Sequence, residues 1–167
     1  IHQALIESVG SNITLKYPKN GEYRSAYVIA NIDDEPTDEA MVFYEYTSNG
    51  SEEDGLRVNI LHKDEDGKWY SVKELAGAGT DIDQVIISPM GSNNQTDVFV
   101  GYQNLTNDEK TMEIYSYTDG DFKRVALDTY SVLEPLDINN DGYIELITIQ
   151  RSTNNDTGAV TAKASML

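Results

Sequence analysis

Short β-favouring runs, turn clusters between them and a self-similarity of about fifty residues predict an all-β chain. The fold expected is a propeller-like array of about three four-stranded antiparallel blades, the last incomplete, with a short N-terminal helix. The opening IHQALIESVG places Leu5, Ile6 and Val9 at near-helical spacing, and Gly10 supplies a stop. From there the pattern turns to strands, over residues 13–17, 25–31, 39–46, 56–62, 68–75, 83–88, 96–103, 111–117, 122–128, 131–136, 144–150 and 159–165. No long helical pattern separates them, so no crossover helix is available and the sheets should be antiparallel.

Two registers carry the self-similarity. HKDEDGKWYSV, ending at Val72, and YSYTDGDFKRV, ending at Val125, align Asp66-Gly67 with Asp119-Gly120 and Trp69 with Phe122. Asp-Gly between strands marks a hairpin, because glycine accepts the positive φ of the turn. IDDEPTDEAMVFYEY, ISPMGSNNQTDVFVGY and LDINNDGYIELITIQ share a second plan. In each, an apolar strand enters a polar loop, and an acid, Glu39, Asp97 or Glu145, opens the next strand. The units are then an N-terminal segment 1–24 and repeats 25–75, 76–128 and 129–167, the third truncated. Either residues 13–17 supply its missing strand or the natural chain continues, and the second is preferred. A partial array would expose blade faces, so self-association is expected. The rival architecture is a β-sandwich with hairpins that are alike by accident.

The 167 residues hold 12 Lys+Arg against 29 Asp+Glu, for a net charge of −17. Nucleic acids and anionic membranes would be repelled, and a charged partner should be cationic, a metal ion being the simplest. Apolar runs are too short for a transmembrane helix, so no direct membrane insertion is expected. The start at Ile1 rather than Met predicts a processed or excised chain whose targeting segment lies outside it. With no cysteine, disulfide and thiolate chemistry are excluded. Glycosylation sequons occur at Asn12, Asn49, Asn94, Asn104 and Asn155, and chance explains them in a chain rich in Asn, Ser and Thr.

The sharpest chemical feature is loop 137–145. Asp137, Asn139, Asp141 and Glu145 offer side-chain oxygens at relative positions 1, 3, 5 and 9, Tyr143 its carbonyl at position 7, and Gly142 permits the sharp turn. Ca²⁺ takes six to eight oxygens, so the spacing suits it, whereas Mg²⁺ demands a tighter octahedron. An EF-hand would need Glu at position 12 and flanking helices. Thr148 stands at that position, inside a strand pattern. The bland alternative is a polar turn with no ion.

DINNDGYIEL between two strands resembles the loop of the FG-GAP (VCBS-type) repeat family, and the stretch from Tyr23 onward is similar to uncharacterised Firmicutes surface lipoproteins with such repeats. The resemblance implies a propeller of four-stranded blades, a bacterial extracytoplasmic location, secreted or at the cell surface, and a binding role toward a protein or glycan. It also implies Asp137, Asn139, Asp141, Tyr143 and Glu145 as calcium ligands, with Glu145 where the family often has Asp. The other two loops depart from the pattern. Asn31, Asp33, Glu35 and Glu39 keep oxygens, but Pro36 replaces the glycine and fixes φ near −65°. Pro89, Gly91 and Asn93 replace carboxylates in the second loop, leaving Asp97. Metal is disfavoured at both.

Nucleophile-elbow and phosphate-loop patterns are absent. His2 and His62 are the two histidines, and His62, beside a charged turn, reads as a solvated surface residue. DEDGKW lacks the Ser-x-Asp-x-Gly order of the sialidase aspartate box and reads as a turn. Ser51-Glu52-Glu53-Asp54 reads as a solvated acidic loop. Eleven tyrosines and Trp69 are expected to pack between blades with hydroxyls at the rim, rather than to form a sugar-binding surface. The function expected is an extracytoplasmic, non-catalytic binding or adhesion module with a Ca²⁺-stabilised loop. The alternatives are a carboxylate-based glycan hydrolase and a structural spacer.

Overall fold

A computed structural model describes residues 1–33, 35–47, 55–90, 95–105, 109–154 and 156–167. The sequons at Asn49, Asn94 and Asn155, the acidic run 51–54, and Gly91 and Asn93 of the second loop lie outside the described residues. Helix α1 (His2–Val9) opens the chain. Gly10, at φ 84°, ends it while donating its N–H to the Ile6 carbonyl. No helix among the described residues is long and apolar enough to cross a membrane.

Among the described residues, the twelve strands that follow form three consecutive antiparallel sheets. Sheet A joins β1 (Ile13–Leu15), β2 (Tyr27–Ala30), β3 (Glu39–Tyr46), β4 (Gly55–Lys63) and β5 (Trp69–Ala76). Sheet B is β6 (Asp81–Ser88), β7 (Asp97–Gln103), β8 (Lys110–Thr118) and β9 (Asp121–Tyr130), in sequence order. Sheet C is β10 (Val132–Leu136), β11 (Glu145–Thr153) and β12 (Val160–Met166). Within each sheet successive strands pair, except that β1 and β2 both pair with β3 rather than with each other.

The N-terminal strand does not take the less preferred of its two alternatives. Residues 13–15 do not complete sheet C. Ile13 pairs with Tyr46 and Leu15 with Tyr44, while Tyr27 to Ala30 pair with Val42 to Glu39. β1 and β2 therefore share one edge of β3 end to end. The link between them is stapled to sheet B by Lys19 and Asn20, whose N–H groups donate to the carbonyls of Ile82 and Asp83. β1 thus closes the sheet nearest to it in the chain, where less chain entropy is lost than in reaching sheet C.

Stacking follows from side-chain alternation along the strands. Phe43, Leu56, Val58 and Ile60 of sheet A pack against Val85, Val98, Val100, Tyr102 and Phe122 of sheet B. The opposite face of sheet B, through Phe99, Met112, Ile114 and Tyr130, meets Leu146, Leu133 and Ile144 of sheet C and its entry loop. Ala4 and Leu5 of α1 cover the outer face of sheet A at Ala40, Val42, Tyr44 and Leu61. The order is helix, A, B, C, three stacked sheets rather than the two of a sandwich.

The two Asp-Gly hairpins differ in detail. Asp119 and Gly120, at φ 54° and 76°, make a two-residue turn between paired Thr118 and Asp121, the type I′ geometry. At the other, the Gly67 N–H donates to the Asp64 carbonyl and Gly67 sits at φ 78°, a longer turn tied down by Asp64 Oδ1. Both deliver an aromatic to the layer before: Trp69 toward α1 and Phe122 toward sheet A.

Truncating the A–B interface should therefore be far costlier than trimming the outer strand. Phe43→Ala, at a fully buried position, is expected to lose about 3–5 kcal/mol in urea denaturation. Val160→Ala, where the side chain is 65% exposed, should stay within about 0.5 kcal/mol.

Candidate functional site

The loops entering β3, β7 and β11 are built on the same contact. Glu39 Oε2 accepts the Ile32 N–H at 3.0 Å, Asp97 Oδ2 the Met90 N–H at 3.1 Å, and Glu145 Oε2 the Ile138 N–H at 2.9 Å. The separation is seven residues each time. The acid opening the strand thus satisfies a backbone donor that the loop would otherwise leave unpaired. Loops two and three also touch, since the Ile144 N–H donates to the Pro89 carbonyl.

In loop 137–145 the polar side chains fold back on their own backbone. Asp137 accepts the N–H groups of Asp141 and Gly142 at 3.1 and 3.0 Å. Asn139 Oδ1 accepts the Asp141 N–H, and its Nδ2 donates to Asp141 Oδ2. Asp141 Oδ1 accepts the Tyr143 N–H at 2.9 Å. Asn140 and Gly142 take positive φ, 61° and 91°, the turn anticipated for Gly142. Asp137, Tyr143 and Glu145 are half-buried, and Asn139 and Asp141 are exposed. The donor set is oxygen throughout, with lone pairs left on each carboxylate.

Loop 31–39 is more enclosed. The Asp33 side chain is fully buried, and its Oδ1 accepts the Glu35 N–H at 2.8 Å. Asn31 Nδ2 donates to the carbonyls of Glu35 and Thr37 at 2.6 and 3.5 Å. His62, on β4, is not a solvated surface residue. Its side chain is 14% exposed, and Nε2 stands 3.4 Å from Asp33 Oδ2. Its ring packs edge-on to Tyr70. β3 and β4 pair Ala40 with Leu61, so His62 lies one step further along, opposite Glu39, where β-pairing turns a remote position into a neighbour. Among the described residues, Asp33, Glu35 and His62 form the group whose carboxylate and imidazole ligand atoms all lie within 4.8 Å of one another.

Three further acids are held mainly by partners in their own sheet. Asp83 accepts hydrogen bonds from Lys110 Nζ at 2.8 Å, the Tyr130 hydroxyl at 2.6 Å and Asn20 Nδ2 at 2.9 Å. Glu113 accepts from Arg124 and from the Tyr115 hydroxyl. Glu74 accepts from the hydroxyls of Tyr44 and Tyr46. The tyrosines thus do pack within and between sheets, but Tyr44 and Tyr130 are fully buried rather than rim-exposed. Burial and the neighbouring carboxylates push the phenol groups of Tyr44, Tyr115 and Tyr130 up. These networks were invisible to local spacing, since their partners are joined only by strand pairing and stacking.

Comparison with protein-family models, with curated proteins and with solved structures returns no match.

Glu39 has a distinct consequence for stability. Burial pushes its carboxyl from 4.5 up to about 7, with the charge of Asp33 adding to the shift and the Ile32 N–H opposing it. Its folded value lies above the unfolded one, so the native state holds the extra proton between them. Stability should then be greatest below about pH 4.5 and fall as pH rises toward 7, by an amount on the order of 2–3 kcal/mol. Glu39→Gln keeps an acceptor for Ile32 and should flatten that slope in urea midpoints measured across the interval.

Proposed function

We propose that the chain is a propeller-type repeat module, a series of blades of the FG-GAP kind, whose work is extracytoplasmic binding rather than catalysis. The observation that carries this reading is the recurrence of one carboxylate-to-backbone clamp, seven residues long, at the same point of three consecutive stacked meanders. A unit copied in structure, with loops two and three hydrogen-bonded to each other, favours a rigid framework that displays adjacent loops. Asp83, Asp97 and Glu113 are committed to lysine, tyrosine, serine, arginine and backbone partners, which favours structural over hydrolytic use of the buried acids.

Loop 137–145 is the Ca²⁺ site of this reading. Asp137, Asn139, Asp141 and Glu145 would hold the ion by side-chain oxygens and Tyr143 by its carbonyl. Two facts support the fit: hard oxygen donors suit calcium, and the turn is already closed by its own N–H bonds. The ion would offset repulsion among three carboxylates and stiffen the start of β11.

Millimolar Ca²⁺ should raise the melting temperature by about 3–10 °C over chelator, and Asp141→Ala should remove the difference. Identical melting of the wild type in calcium and chelator would reject the site. A glycan and protein array probed with the labelled chain should show retention without turnover, and hydrolysis of an arrayed glycan would reject the non-catalytic role.

A further inference from the structure

We propose that Asp33, Glu35 and His62 form a binding site for one divalent first-row transition-metal ion of the zinc class, chemically distinct from the oxygen-lined loop 137–145. The first support is composition. An imidazole nitrogen with two carboxylate oxygens suits zinc and its neighbours, whereas calcium is held by oxygens alone. The three ligand atoms lie within 4.8 Å of one another, and they come from two elements that strand pairing fixes, the 31–39 loop and β4.

The second support is independent of composition. Asp33 Oδ2 and His62 Nε2 are buried, and among the described residues neither has a hydrogen-bond partner. They approach to 3.4 Å without forming a hydrogen bond to each other. Ligands about 2.0–2.2 Å from a tetrahedral ion stand ~3.3–3.6 Å apart, so the spacing is that of two atoms facing a common ion. Asp33 Oδ1 is engaged by the Glu35 N–H, which holds the carboxylate with Oδ2 toward the imidazole. Glu35 is exposed, so the third ligand lies on the solvent side and a fourth position is open to water.

Sheet B provides the contrast. There the residue opposite the acid is Ser116, and its hydroxyl donates to Asp97 Oδ1, so both Asp97 oxygens are engaged. In sheet A, His62 takes the serine's place and is directed to Asp33 instead. Glu39 Oε1 is left buried and without a partner among the described residues. The repeat's polar network is closed in one sheet and open in the other, and the opening coincides with the imidazole. Pro36 in place of glycine rules against the calcium turn but not against this geometry, because the imidazole ligand, His62, is recruited from β4.

The test is calorimetric titration of the chain with Zn²⁺, paired with NMR of the two histidine side chains. One equivalent should bind, and the resonances of His62 should shift while those of His2, which lies against Tyr27, do not. Glu35→Gln, at an exposed position that folding tolerates, and His62→Ala should each weaken binding by about tenfold or more. Asp141→Ala and a large excess of Ca²⁺ should leave the affinity unchanged, which separates this site from loop 137–145. The proposal is overturned if Zn²⁺ does not bind, if His2 alone responds, if Glu35→Gln and His62→Ala bind as the wild type does, or if Ca²⁺ or Asp141→Ala abolishes binding.

Discussion

Burial of sheet B on both faces is the constraint from which the rest of the structure follows. Along β7, Val98, Val100 and Tyr102 point to sheet A and Phe99 to sheet C, and all four are buried. A strand of this kind cannot face water on either side, so it requires a layer before it and a layer after it. Sheets A and C are those layers, and α1 covers the face that sheet A would otherwise expose. Two of the charged residues inside the stack obey the same constraint. Asp83 and Glu113 are tolerated because lysine, arginine and tyrosine partners neutralise or saturate them.

The loops entering β3, β7 and β11 are variations on one clamp. An acid at the strand's start holds a backbone N–H seven residues earlier, which fixes where the loop leaves the sheet and where it returns. What the loop carries between those points is free to diverge. Loop 137–145 fills it with oxygens and two positive-φ residues. Loop 31–39 fills it with an aspartate driven inward against an imidazole. One scaffold thereby supports two different donor chemistries, hard oxygen in one sheet and mixed nitrogen and oxygen in another.

The local architecture was legible in the sequence because period-two alternation and Asp-Gly punctuation are short-range signals. All twelve runs correspond to strands, and Gly10 ends the helix as its position suggests. Placement across distance was not legible. Nothing in residues 13–15 says that they pair with β3 instead of closing sheet C, since three apolar-polar-apolar residues suit any open edge. His62 was misjudged for the same reason. The turn that follows it is charged and solvated, but its spatial neighbours are Glu39 and Asp33, brought there by the β3–β4 register. The acids at 39, 97 and 145 were recognised as equivalent, yet their shared role as backbone acceptors is a matter of angles and distances that spacing does not encode.

Amide hydrogen exchange under native conditions tests the layered account most directly. The amides of β7, walled in by sheets on both sides, should exchange only through global unfolding and be the slowest in the chain, while those on the outer edge of β12 should exchange by local opening. Fast exchange along β7, or protection of β12 equal to it, would contradict a stack in which sheet B is the buried middle layer.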